Sequence, residues 1–379
     1  PRACRAVSRR GGPARAAAGA RGRMRVLRLL HRLALRLEAV FERIRPPRRG
    51  RPLLEPYRGH ATPDRLVLRA RVLTALRRAV PTPEQSRWTN LRQMVSLFLT
   101  SEVEGVTVVA PAAGATARSD EEGYVTLEVP RPALPGWHEI LLEVDGDPDS
   151  GVALPALVPR PDARRVLISD IDDTVLLTGA HSLARNLWTT FTGSALTRHV
   201  FADSVAAIER LSAGGRDPVF YVSSSPWNLH RFLEDVFAGA GLRTGPMFLR
   251  DLGLSETKFV TGGHRGHKTA AIDTILAANP GLPALLLGDT GQKDAIIYHA
   301  AIARHPGRIA GVLLRMPRTP DAETHAALHA IEATGVPVVC APDFAGVAAD
   351  FGLAGARAPD PRGAEGPGPA SRAASPPSP

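Results

Sequence analysis

The chain has 379 residues, 44% of them hydrophobic, and a formal net charge of +10, a length that accommodates two folded domains with sizeable cores. The charge is unevenly placed: residues 1–51 hold sixteen arginines, no lysine and only Glu38 and Glu42, leaving 31 basic against 35 acidic residues in the remainder, so the globular part is not a basic nucleic-acid binder. Arginines interrupt the Leu-rich stretch before it reaches the roughly eighteen apolar residues of a membrane-spanning helix, and the two cysteines, Cys4 and Cys340, stand in unlike contexts that argue against a disulfide and fit a reducing compartment.

Residues 1–23, rich in Arg, Ala, Gly and Ser without an acid, read as an unstructured leader ahead of Met24; a transit peptide is the lesser reading. Residues 24–58 read as a basic amphipathic helix and a linker. At about 100° per residue, Arg25, Arg28, Arg32, Arg36 and Arg43 share one stripe. Val26, Leu30, Leu33, Leu37, Val40, Phe41 and Ile44 take the other side, and Pro46 and Pro47 stop the helix. Two uses stay open, an apolar face packed on the protein or a helix lying in an anionic membrane surface. Nucleic-acid binding by the arginines is the weakest reading.

Residues 59–160 change to a period of two. Leu66, Leu68, Ala70 and Val72 alternate with Val67, Arg69, Arg71 and Leu73, and 106–109, 124–129 and 139–144 are further β-rich runs between Gly- and Asp-rich turns. The pattern predicts a small antiparallel β-sandwich-like domain without paired carboxylates or a nucleophile beside a base. In residues 161–353 short apolar runs at 166–169, 219–222, 247–249, 284–287, 309–314 and 336–339 alternate with helical stretches at 205–211, 229–237, 269–278 and 295–303. That rhythm predicts an α/β domain built on a parallel sheet with helices on both faces. Residues 354–379, mostly Ala, Gly, Pro and Ser, read as a disordered tail.

Ligands of an open α/β sheet sit beyond the carboxyl ends of its strands, and polar residues gather there in this sequence. The first strand of the domain ends in Asp170-Ile171-Asp172-Asp173-Thr174, the second in Ser223-Ser224-Ser225-Pro226, and the fourth in Gly288-Asp289-Thr290-Gly291-Gln292-Lys293-Asp294. Lys268 opens a helix. One such Asp is commonly a turn residue; several polar strand ends in one domain point to a site.

In order and placement these motifs resemble the four of the haloacid dehalogenase (HAD) superfamily: DxDxT, a strand-end Ser or Thr, a Lys, and GDxxxxD. More narrowly, DIDDT, YVSSSPWNL, GHKTAAI and LLLGDTGQKDAIIY are similar to the catalytic domain of the phosphatidate phosphatases of yeast actin patches and their bacterial relatives, a branch akin to lipins. The resemblance implies a HAD-like Rossmannoid sheet and a Mg2+-dependent phosphatase. Asp170 would be the nucleophile that becomes phosphorylated, and Asp172 the general acid and then base. Ser223 and Lys268 would hold the phosphoryl oxygens, with Mg2+ on Asp170, the Asp172 carbonyl and Asp289, and Asp294 supporting the metal. Thr174, Ser224, Arg265 and His267 are candidate substrate contacts. Asp173 reads as solvating the loop, and Gly262, Gly263 and Gly266 place His264, Arg265 and His267 in a surface loop.

Only residues 175–222 separate Thr174 from Ser223, and 224–267 separate Ser223 from Lys268, which leaves no room for a large cap. Leu183 to Phe201, with Trp188 and Phe191, could form a flap. An accessible site suits a phosphate carried on something larger. The expected activity is therefore hydrolysis of phosphatidate to diacylglycerol and phosphate by a cytoplasmic protein, peripheral at a membrane. Its alternatives are a phosphatase for phosphoproteins or soluble esters and a non-catalytic membrane-binding adaptor.

Overall fold

A computed structural model describes residues 50–74, 102–177, 200–250, 264–317 and 319–353. The leader, the basic helix, the Trp188–Phe191 flap region and the C-terminal tail lie outside the described residues.

From Leu53 to Val158 the chain forms one connected eight-stranded sheet: β1 (Leu53–Pro56), β2 (Gly59–Ala61), β3 (Arg65–Leu73), β4 (Thr107–Ala110), β5 (Ala115–Arg118), β6 (Tyr124–Pro130), β7 (Gly136–Val144) and β8 (Asp147–Val158). The order is β1-β3-β2-β8-β7-β4-β5, with β6 on the other edge of β3. The pairings are antiparallel except for β2 with β8. The alternation in β3 does what its period requires: Leu66, Leu68, Ala70 and Val72 turn into a core with Val125, Leu127, Val129, Leu142 and Leu154, each large side chain contributing roughly 1.5–3 kcal/mol by its burial. β8 carries Pro148, Gly151 and Pro155, residues that weaken a strand pattern, and the period-two runs read from the sequence do not include it. Pro155 is tolerated because the β2 ladder begins only at Gly59 opposite Ala156.

The second sheet is wholly parallel. It consists of β9 (Val166–Asp170), β10 (Val219–Pro226), β11 (Met247–Arg250), β12 (Ala284–Asp289), β13 (Ile309–Arg315) and β14 (Val338–Ala341), in the order β11-β10-β9-β12-β13-β14. The helices between and beside them are α1 (Ala202–Leu211), α2 (His230–Gly239), α3 (His264–Ala278), α4 (Asp294–Arg304) and α5 (Ala322–Ala333). Successive residues of β9 serve opposite faces. Leu167 packs with Ile208, Leu211, Leu233 and Val236 from α1 and α2, whereas Val166 and Ile168 pack with Ile272, Ile275, Ile297 and Ile331 from α3, α4 and α5. Both faces are covered, so the strands read as continuous apolar runs. The strand order reverses between β9 and β12, which opens a crevice beyond their carboxyl ends. None of the helices among the described residues is long and apolar enough to cross a membrane.

The two sheets belong to one compact unit. Tyr57, between β1 and β2, packs with tilted rings against Trp227 at 4.5 Å and His230 at 4.7 Å, the Arg69 guanidinium lies 4.7 Å from the Trp227 ring, and His60 meets Phe248 at 5.3 Å. Arg58 pairs with Glu234 at 3.1 Å, and Arg71 donates to the Asn228 side chain at 3.4 Å. Trp227 and Asn228 follow Pro226, the last residue of β10 after its serines, so the seam buttresses the turn that leaves β10.

Candidate active site

The polar strand ends converge where β9 and β12 part. Beyond Asp170 the chain makes a tight turn in which the amides of Val175 and Leu176 both bond the Ile171 carbonyl. Asp173 takes φ of 57° there, a left-handed conformation that Asp tolerates better than most residues. It is buried, not solvating the loop as the sequence suggested. The turn carries Thr174 back so that its hydroxyl lies 3.4 Å from Asp170 Oδ2.

Asp170, Asp172, Asp289 and Asp294 are all buried, as is Lys268. Lys268 Nζ stands 2.6 Å from Asp170 Oδ1 and 2.6 Å from Asp294 Oδ1. Asp294 Oδ2 accepts from the Asp289 amide at 3.1 Å, and Asp289 Oδ2 accepts from the Gly291 amide at 2.6 Å. Gly288 makes this approach feasible: a Cβ there would lie 2.6 Å from both Asp294 Oδ2 and the Tyr298 hydroxyl, and that hydroxyl bonds the Leu287 carbonyl at 2.6 Å.

Asp172 faces the next strand. Ser223 donates to its Oδ2 at 2.6 Å, and Ser225 approaches the same oxygen at 3.4 Å and Ser223 Oγ at 2.7 Å. The Ser223 hydroxyl, expected to hold a phosphoryl oxygen, is engaged here by Asp172 and by Ser225. Ser225 was missed, although strand alternation is the signal that could have found it: 223 and 225 share a side, and Ser224 takes the other, half-buried. His267 lies on α3, which begins at His264 rather than after a flexible loop, because helical bonding tolerates Gly266 at a cost of only about 1 kcal/mol. Its Nε2 is 3.3 Å from the Phe248 carbonyl. The Arg265 side chain lies outside the described residues.

Burial raises Asp170 well above the ordinary carboxylate range against the pull of Lys268, with Asp294 and Asp172 adding repulsion. Burial likewise raises Asp172, opposed by the Ser223 hydrogen bond. It lifts Asp289 to about 7 with help from Asp294. Lys268 is held cationic by Asp170 and Asp294 although its burial works the other way. A cation relieves such crowding. Oxygens of Asp170, Asp289 and Asp294 come within 4.8 Å of one another and could hold a metal ion, and Asp289 Oδ1 is buried without a hydrogen-bond partner. An all-oxygen donor set of this kind fits a hard divalent ion. Asp294, expected only to support the metal, is part of the cluster.

A parallel α/β sheet with a buried carboxylate–lysine cluster at its crevice defines a class of site suited to phosphoryl chemistry. Residues 165–316 match the family described as "Phosphatidate phosphatase APP1, catalytic domain", so the family resemblance carried by the motifs is borne out for this segment. Phosphatidate phosphatase APP1 of Saccharomyces cerevisiae is 27% identical over 158 residues, 39% of this chain and 25% of that protein. The chain therefore spans about a quarter of the length of that relative. Among solved structures, a carbohydrate acetylesterase from Xanthomonas citri aligns over 76% of this chain and 75% of its own at 12% identity, with a TM-score of 0.26, too low to bear on fold or function.

Proposed function

We propose that this chain is a HAD-type, Mg2+-dependent phosphatase that hydrolyses phosphatidate to diacylglycerol and phosphate. The observation that carries the reading is the meeting of buried Asp170, Asp289, Asp294 and Lys268 at one crevice, inside the segment that matches the phosphatidate phosphatase catalytic domain. Asp170, Asp289 and Asp294 would hold the ion, with the Asp172 carbonyl as a further oxygen ligand. A bound divalent ion supplies positive charge that offsets the repulsion between a carboxylate nucleophile and a phosphate dianion.

An Asp170 oxygen attacks phosphorus, the bond from phosphorus to the glycerol oxygen breaks, and Asp172 gives that oxygen its proton. The product is diacylglycerol and a phosphorylated Asp170. Asp172, now a carboxylate, takes a proton from water as the water oxygen attacks phosphorus, releasing inorganic phosphate and restoring Asp170. Burial favours the protonated form of Asp172 that the first step needs, and the Ser223 and Ser225 hydroxyls orient it. Lys268, tethered between Asp170 and Asp294, keeps a positive charge beside the nucleophile.

Phosphate release from phosphatidate vesicles, a soluble phosphate ester and a phosphopeptide, with EDTA and with Mg2+ restored, tests the reading. Vesicle hydrolysis that EDTA abolishes and Mg2+ restores, with Ca2+ a poor substitute because its longer bonds misplace the nucleophile, is expected. Turnover confined to soluble substrates would move the substrate off the membrane, and no release from any would favour a binding adaptor. We assign the basic segment a recruiting role at an anionic surface, each arginine attracted by about 1 kcal/mol. Deleting residues 1–51 should weaken vesicle hydrolysis and spare the soluble ester; equal loss on both refutes recruitment.

A further inference from the structure

Arg315 ends β13 directly beside Asp289 in the sheet register, and its carbonyl accepts from the Thr290 amide at 2.9 Å, which ties down the loop leaving Asp289. Its guanidinium is buried and reaches the other loop of the site. Nη2 donates to Asp203 Oδ2 at 2.5 Å and to Ser204 Oγ at 2.8 Å, and Nη1 to the Pro342 carbonyl at 3.1 Å. Phe201 and Phe344 flank the cation at 4.0 and 4.7 Å. Ser204 Oγ in turn donates to the Thr174 carbonyl at 2.7 Å.

An arginine can only donate, so its bond to Ser204 Oγ leaves the serine proton for Thr174. The direction of two bonds is thereby fixed, Arg315 to Ser204 and Ser204 to the Thr174 carbonyl, and the hydroxyl of that same Thr174 lies 3.4 Å from Asp170 Oδ2. One side chain and its own backbone thus span the Asp170 loop and the Asp289 loop. We propose that Arg315, acting through Ser204, is a positioning residue that sets the separation of the Asp170 and Asp289 carboxylates and so the affinity of the site for a divalent cation. The inference rests on the metal reading given above. A planar fork suits the task because Asp203, Ser204 and Pro342 present acceptors in different directions, which a lysine ammonium would not hold in fixed geometry.

A guanidinium that only packed the fold would change stability and leave ion affinity alone. The test is therefore Mn2+ binding to the full chain, followed by the paramagnetic resonance signal of unbound Mn2+, alongside kcat, KM and the urea midpoint. The variants are Arg315→Met, Arg315→Lys, Ser204→Ala and Ser204→Thr. Ser204→Ala should weaken Mn2+ binding about tenfold, the low end for loss of a group that orients metal ligands, and lower kcat more than it raises KM. Ser204→Thr, which keeps the hydroxyl, should bind as the wild type does. Arg315→Met should exceed the Ser204→Ala loss, and Arg315→Lys should fall between Met and wild type. If Arg315→Met does not fold, the Ser204 pair decides. Wild-type Mn2+ binding with unchanged affinity and kcat in Ser204→Ala and in any folded Arg315→Met overturns the positioning role alone; a wild type that binds no Mn2+ overturns the metal reading and this inference with it.

Discussion

The seam between the sheets should contribute an acid-sensitive share of the stability, and the amount can be worked from two histidines. His60 and His230 are buried. Burial lowers His60 to about 4, and burial with the nearby Arg58 and Arg231 charges lowers His230 to about 3, even with Glu234 3.6 Å from its Nδ1. An unfolded imidazole titrates near 6.5, so the unfolded chain takes up the proton first and stability is lost as pH falls below that value. At pH 5 the unfolded form gains a factor of about 30 in its binding partition and the folded form almost none, so each histidine withdraws about 2 kcal/mol relative to pH 7.5, or about 4 together. Buried carboxylates act with the opposite sign: Asp170, Asp172 and Asp289 are raised on folding, so they add stability as they protonate. The informative quantity is hence the difference between proteins. Urea unfolding of wild type, His60→Gln and His230→Gln at pH 7.5, 6 and 5 should show each variant's pH dependence shallower by about 2 kcal/mol over that range, whatever pH-independent cost the amide carries. Parallel curves for wild type and variants would refute the linkage.

Other perturbations address the site directly. Asp170→Asn should lower kcat by on the order of a thousandfold or more, since an amide is a poor nucleophile, with circular dichroism unchanged; substantial turnover in the folded variant sinks the covalent step. Asp172→Asn should cost roughly 10²–10⁴-fold in kcat as the proton shuttle is lost, and phosphate trapped on Asp170 by rapid acid quench with a good leaving group would separate its two steps. Gly288→Ala sets a methyl 2.6 Å from Asp294 Oδ2 and the Tyr298 hydroxyl. It should cost about 1–3 kcal/mol by overpacking and impair turnover as Asp294 is displaced from Lys268; wild-type midpoint and activity together would show that the cluster is not tightly held.

The sequence by itself determined the parallel α/β class, because strands covered on both faces must be apolar throughout, and runs such as 284–287 and 309–314 have no other economical use. It also determined the candidate carboxylates and Lys268, since strand ends are where a switch-point site collects its polar groups and the motif spacing is local. Short or broken strands were not legible: β1, β2 and β5 have too few residues to show a period, and β8 hides behind prolines whose tolerance depends on its neighbours' register. The pairing of Asp172 with Ser223 and Ser225, and of Asp294 with Lys268, required the strands to be laid side by side. Only the tertiary structure decided the roles of Tyr57, Arg69 and His60 in the seam and the reach of Arg315 through Ser204 to Thr174. Those contacts join residues far apart in the chain, and no local periodicity records which distant groups will share a buried hydrogen bond.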